Sequence, residues 1–255
     1  MVSASALRLR IESALAPEIP SALTPHPRLD RPTVLTGIPE VDRLAGLPLG
    51  AISEIAGPEC SGRTSLALSF VAGMTRAGRV CAWVDVADAL SPESAAAAGV
   101  ALDSLLWVRC GAQPAREERR LRAKKPWDRM DQALRATDLL LQAGGFSALV
   151  LDIGGIASEF ASRVPLATWF RWRAAVEQSQ ASLVLLAQHP CAGSSAGLVL
   201  RLEPGPALLE EAAVLAGMEH RLEPERRRFA GPARKPPQSV TAAAWQSRTP
   251  WTGTR

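Results

Sequence analysis

The sequence predicts an α/β fold: a mainly parallel central sheet flanked by helices, with antiparallel strands at its edge. Three observations predict it. From residue 50 onward, short β-rich runs alternate with helical runs. The stretch "ALVLDIGG" (148–155) is continuously apolar up to an acid, as expected of a strand buried on both faces. The stretch "GPECSGRTSLAL" (57–68) sets a Gly-rich turn between a strand and a helix. With 255 residues, 47% of them apolar, the chain can bury a core of this kind.

The elements follow in order. Leu7, Ile11 and Leu15 form one stripe of a short amphipathic helix, and the prolines of "APEIPSALTPHPRLDRPT" then forbid regular structure, so residues 1–34 read as an arm and linker. The core spans 35–230. "AISEIAG" is its first strand, and "GRTSLALSFVAGMTRAG" is a helix that places Leu66, Phe70 and Met74 on one face and stops at Gly78. "VCAWVDV" is a strand; "SPESAAAAG" is a short helix with Ser91 as cap, Pro92 in its first turn and Gly99 at its end. "LLWVRC" is a third strand, followed by a basic insert at 112–128. The helix "RMDQALRATDLLLQAGG" leads to the strand ending at Asp152, "PLATWFRWRAAVEQSQ" is the next helix, and "SLVLLAQ" is a strand ending at Gln188. "LVLRLE" and "GMEHRLEPERRRF" read as further, antiparallel strands, with Pro224 requiring an edge position. Residues 231–255 are Pro-rich, basic and without periodicity, which reads as a mobile tail.

Composition narrows the function. Arg8, Arg10 and Glu12 break the leading apolar run, and no apolar segment is long enough to span a bilayer, so the reading is cytoplasmic. Cys60, Cys81, Cys110 and Cys191 are scattered, as are His26, His189 and His220, so neither a zinc site nor a His-based catalytic centre is indicated. Positive charge is concentrated rather than spread. One cluster holds Arg116, Arg119, Arg120, Arg122, Lys124 and Lys125, another Arg226, Arg227 and Arg228, and the tail adds Arg234 and Lys235 beside Trp245 and Trp251. Tryptophan flanked by cations suits single-stranded DNA, through stacking and phosphate contacts. It suits a protein groove equally well, and both readings stand. Trp169 and Trp172, three apart on a helix, read as core or interface packing rather than as ligand contacts.

The chemistry gathers at the Gly-rich turn. A strand, a tight turn and a helix with free amides make a phosphate loop, built here from Gly57, Pro58, Glu59, Cys60, Ser61, Gly62, Arg63, Thr64 and Ser65. ATP is the implied ligand, with magnesium held by Thr64 directly and by Asp152 through water. Arg63 stands where this motif wants lysine, and a planar fork does not replace a compact ammonium at a tight site.

Together with "VCAWVDVADALSPESAAAAGVALDSLLWVR", "MDQALRATDLLLQAGGFSALVLDI" and "LVLLAQ", the loop resembles the RecA recombinase family over residues 35–203. Asp85, Ala89, Leu90 and Pro92 match its "D-A-E-H-A-L-D-P" motif. The resemblance implies a RecA-like P-loop core and gives Gln188 the place of the residue that senses the terminal phosphate. The departures are as informative. Ala87 stands where the family has the glutamate that activates water, with Asp88 beside it as a weak catalytic candidate, and Ile153 replaces a serine after Asp152. Only "HPCAGSSA" follows Gln188 where the family carries a long DNA-binding loop.

A short RecA-like chain with these losses most resembles the ImuA group of SOS mutagenesis accessory proteins. That resemblance implies a non-recombinogenic factor in translesion synthesis that binds RecA, an ImuB-type polymerase protein, or both, near the nucleoid during DNA damage. The alternative is an active DNA-dependent ATPase of the recombinase class that binds single-stranded DNA, with Asp88 or Glu59 near the attacking water.

Overall fold

The computed structural model describes residues 31–44, 46–110, 126–210, 214–228 and 242–248. The leading amphipathic helix, the cluster Arg116 to Lys125, and Arg234, Lys235 and Trp251 lie outside the described residues.

Apolar residues at every position of a strand need cover on both faces, and the central sheet supplies it. Its parallel strands are β3 (Ala51–Ala56), β4 (Cys81–Asp85), β5 (Leu105–Arg109), β6 (Ala148–Asp152), β7 (Ser182–Ala187) and β8 (Ala196–Glu210). β9 (Val214–Arg227) and β10 (Ala243–Arg248) extend it antiparallel, giving the order β10-β9-β8-β3-β7-β6-β4-β5. A two-stranded sheet, β1 (Thr33–Val34) with β2 (Leu47–Pro48), and the helix α1 (Pro39–Leu44) precede the central sheet in the chain and pack on its core through Val41, Leu44 and Leu47.

Successive side chains of a strand point to opposite faces, so the apolar runs split between two cores. Val150, Val184 and Leu186 face one side, where they pack with Leu66, Phe70 and Met74 of α2 (Arg63–Arg76), the face expected from the sequence. Leu149, Leu151, Leu183 and Leu185 face the other, against α4 (Pro126–Ala143) and α6 (Leu166–Ser179). Trp169 and Trp172 meet there edge to face, with centroids 5.2 Å apart, and both are buried, as the sequence suggests. Trp172 Nε1 donates to Asp138 of α4, which also accepts from Arg171, so the indole enters the core with its polar atom satisfied.

Ala95 of α3 (Pro92–Ala97) joins the first of these cores, and Ala161 of the short α5 (Ser158–Ala161) joins the second. Ser91 caps α3 by accepting from the Ser94 amide at 3.1 Å. Ser91→Ala is expected to lower stability by about 1 kcal/mol, read as a shift in the urea midpoint at unchanged slope.

Three expectations about the C-terminal part need correction. The stretch "LVLRLE", read as an antiparallel strand, lies in β8, which runs parallel to β3 and is antiparallel only to β9. Residues 243–248 are not an irregular tail. They pair with Gly217–Leu222 of β9, and Trp245, read as a solvent-facing anchor for DNA or a partner, is only 5% exposed within the core. An open strand edge needs backbone partners, and the indole needs cover; one segment meets both demands. Pro224 does not make β9 an edge strand, because β8 and β10 flank it. Instead, Pro224 lies past Leu222, the last β9 residue that β10 reaches. Among the described residues no helix is long and apolar enough to cross a membrane.

Candidate nucleotide site

The loop between β3 and α2 owes its shape to two glycines. At Gly57 a Cβ would lie 2.4 Å from the Leu202 carbonyl oxygen of β8 and 2.7 Å from Ser61 Oγ, so only a bare backbone passes. Gly62 has φ +90° and would place a Cβ 2.6 Å from the His220 ring, so both conformation and space require glycine. Cys60, at φ 60°, takes the same left-handed region. Pro58, Glu59, Cys60 and Thr64 are exposed, Ser65 is half-buried, and Ser61 is buried.

Helix α2 has no side-chain N-cap, and its ladder begins with Leu66 N donating to the Gly62 carbonyl. The amides of Arg63, Thr64 and Ser65 therefore precede the ladder at the positive end of a helix of 14 residues, an arrangement that fits an anion. The residues present fit a nucleoside phosphate in this respect, and the exposed Thr64 hydroxyl fits a magnesium ion held beside it.

The side chain of Arg63 leaves the loop mouth for the end of β6. Its Nη2 lies 3.5 Å from the Gly154 carbonyl, which also accepts from Gln188 Nε2 at 3.2 Å. The fit is close: a Cβ on Gly154 would sit 2.8 Å from Arg63 Nη1, and that nitrogen is buried without a hydrogen-bond partner among the described residues. Burial lowers the guanidinium's pKa, while the charges of Asp152 and Glu59 draw it back up. One carbonyl thus ties the phosphate loop to the ends of β6 and β7, bringing together Arg63, Gln188 and Asp152.

Asp152 Oδ1 accepts the Gly154 amide at 2.9 Å. Burial is the main cause pushing its pKa up to about 6; the Gly154 bond and Arg63 oppose the shift, and the Asp85 charge adds to it. Asp85 is its register partner on β4 and is fully buried, accepting from Leu90 N at 2.8 Å and Trp107 Nε1 at 3.3 Å.

Asp88 is placed differently. Its carboxylate accepts both Arg109 Nε and Nη2, at 2.6 and 2.8 Å, and Arg109 stacks over Trp107 at 4.7 Å. The hydrogen bond from Arg109 is the main cause holding Asp88 below its usual carboxylate range, which makes it a weak proton acceptor. Ala87 lies against Gly155, where an added Cβ would come within 2.8 Å of its own. Arg226, Arg227 and Arg228 stand exposed at the end of β9, with an Arg226 guanidinium nitrogen donating to the Gly193 carbonyl.

Sequence reading missed two contributors. Glu54 is fully buried in β3, and its Oε1 accepts the amides of Cys191 and Ala192, anchoring the short loop after Gln188 to the strand that launches the phosphate loop. Burial raises its pKa, against those two bonds. An acid inside the mainly apolar run "AISEIA" was the available signal. His220, which covers Gly62, carried no local signal, because the contact needs the β8–β9 ribbon to fold back.

Residues 32–158 match the RecA N-terminal domain. The RecA proteins of Pseudomonas fluorescens strain Pf-5 and Pseudomonas syringae pv. syringae strain B728a are each 38% identical over 130 residues, which are 50% of this chain. The chain spans 32% of the length of these relatives. Among solved structures, the RadB recombinase matches with TM-score 0.52 at 19% identity, covering 77% of this chain and 91% of its own. A KaiC-like protein from Pyrococcus horikoshii OT3 matches with TM-score 0.52 at 16% identity, covering 78% of this chain and 89% of its own. The layered, mostly parallel sheet is thus the fold of these proteins.

Proposed function

Because the chain is RecA-like, with residues 32–158 matching the RecA N-terminal domain, we propose that it is a non-recombinogenic accessory factor of the DNA-damage (SOS) response. In this reading it acts in translesion synthesis, docks on RecA, on an ImuB-type polymerase protein, or on both, and keeps its nucleotide site as a scaffold.

One observation carries the proposal: Arg63 is directed to the Gly154 carbonyl, where it shares an acceptor with Gln188. A lysine at this position would present a compact charge at the loop mouth. The arginine instead joins three parts of the site to one another. Ala87 provides no carboxylate for an attacking water, and Asp88 is engaged by Arg109.

Nucleotide can still be held. The amides of Arg63, Thr64 and Ser65 would hold phosphates, and Thr64 and Asp152 would hold magnesium. When bound, magnesium supplies charge neutralisation at the terminal phosphates. The residues of this chain would then orient the ligand without positioning a water, so occupancy would fix the shape of a docking surface.

The tip of the β8–β9 ribbon supports a protein partner. Leu209 and Leu215 are cross-strand partners, 57% and 55% exposed, and apolar pairs of this kind favour protein contacts. Co-sedimentation of the purified chain with RecA filaments, and its capture by a purified ImuB-type protein, test the reading. Binding to at least one, with no strand exchange by the chain alone, is the expected result. Strand exchange, or binding to neither protein, would reject it.

A further inference from the structure

The C-terminal strand and the phosphate loop meet through a single side chain. His220 of β9 lays its ring against Gly62, close enough that a Cβ there would come within 2.6 Å of Cγ and 2.7 Å of Nδ1. The ring is 3% exposed, and Nδ1 is buried with no hydrogen-bond partner among the described residues. Its other nitrogen, Nε2, lies 2.7 Å from Ser247 Oγ of β10. Trp245, two residues earlier on the same face of β10, stacks against the ring at 5.0 Å. His220 is thus pressed between the glycine that opens α2 and two side chains of the last strand among the described residues.

A third contact fixes β10 itself. Gly217 of β9 pairs with Arg248, and a Cβ at Gly217 would sit 2.1 Å from the Ser247 carbonyl oxygen. The strand reaches this depth only because β9 carries no side chain there. The sequence thus provides a seat for β10 at Gly217, together with a stack at Trp245 and a hydrogen bond at Ser247 that both meet His220.

We infer that β10 clamps the phosphate loop through His220, so that docking of the C-terminal strand and order of the loop form one equilibrium. His220 is a positioning residue here: it holds the backbone at Gly62, and with it the amides that follow. A protein that draws β10 away from β9 loosens the loop, and a ligand that orders the loop strengthens β10 docking by the same factor, since coupling between two sites is reciprocal. The inference rests on reading the loop as the phosphate site, but its primary test does not need a nucleotide.

Amide hydrogen exchange of the unliganded full chain reads loop order directly. Ser247→Ala removes the bond to His220, and Gly217→Val unseats β10 without touching the loop. Each is expected to speed exchange across 57–65 at least about tenfold while leaving β6 and β7 at wild-type rates. Gln246→Ala, altering an exposed side chain between the two contacts, is expected to leave the loop unchanged. Faster exchange at 243–248 with an unchanged loop would overturn the inference, as would loss of protection throughout the sheet in Ser247→Ala. Addition of ATP with magnesium gives a separate arm. If it slows exchange at the loop, it must also slow exchange at 243–248, and an effect confined to the loop would contradict the coupling. If it slows neither, the proposed nucleotide binding fails while the exchange of the unliganded variants still decides the clamp.

Discussion

A chain carrying both Arg63→Lys and Ala87→Glu is expected to hydrolyse ATP at least about 100-fold faster than the natural sequence in the presence of single-stranded DNA. Neither change alone is expected to give more than a small part of that gain. Lysine would withdraw the fork from Gly154, which now receives Arg63 at 3.5 Å, and return a compact charge to the loop mouth. It supplies no base. Glutamate at position 87 would add a carboxylate beside Gly155, on the strand end next to Asp152. A positioned general base contributes roughly 100-fold to 10,000-fold, so the double change should exceed the sum of the single ones. Phosphate release over time measures all four proteins. Equal, near-background rates in all four would show that the site lacks more than these two groups.

Asp152→Asn is expected to raise stability by roughly 1–3 kcal/mol at pH 7 in magnesium-free buffer while removing magnesium-dependent nucleotide binding. The sign follows from a pKa raised from the ordinary 3.8 to about 6 by burial and by the neighbouring Asp85. Between those values the folded chain holds a proton that the unfolded chain has lost, so stability falls as pH rises through that window. The ionised carboxylate therefore weakens the metal-free fold at neutral pH, and asparagine removes that cost while keeping an acceptor for the Gly154 amide. Thermal melts from pH 4 to 7.5 check it: the variant should exceed the natural chain at pH 7, and the two should converge near pH 4. Bound magnesium would reverse the preference by favouring the ionised form.

Much of the fold was legible because its signals are local. The runs at 148–152 and 182–187 are apolar at all but one position each, which is what strands covered on both faces require. Ser91 and Pro92 marked their helix by capping chemistry alone. β10 was not legible, because "AAWQSR" becomes a strand only when the edge of β9 offers it backbone partners. Trp245 was misread for the same reason: beside basic and Pro-rich sequence it looks like a surface anchor, yet its indole finds the core.

The site was legible in composition but not in geometry. Arg63 was visible as a departure, but its reach to Gly154 depends on the sheet order, which sets β7 between β3 and β6. The elevated pKa of Asp152 depends on burial and on its pairing with Asp85, neither of which adjacent residues reveal. Glu54 and His220 act on loops distant in sequence, and only the folded chain brings those contacts together.

In the function proposed above, a RecA-like core keeps the phosphate loop as a scaffold rather than an engine. Steady-state ATP turnover by the natural chain, measured with magnesium and with and without single-stranded DNA, tests it most directly. The expected result is turnover at background and unchanged by DNA, even at ATP concentrations that saturate any binding seen by calorimetry. Robust DNA-stimulated turnover that disappears in Asp152→Asn would contradict the claim and establish the chain as a DNA-dependent ATPase.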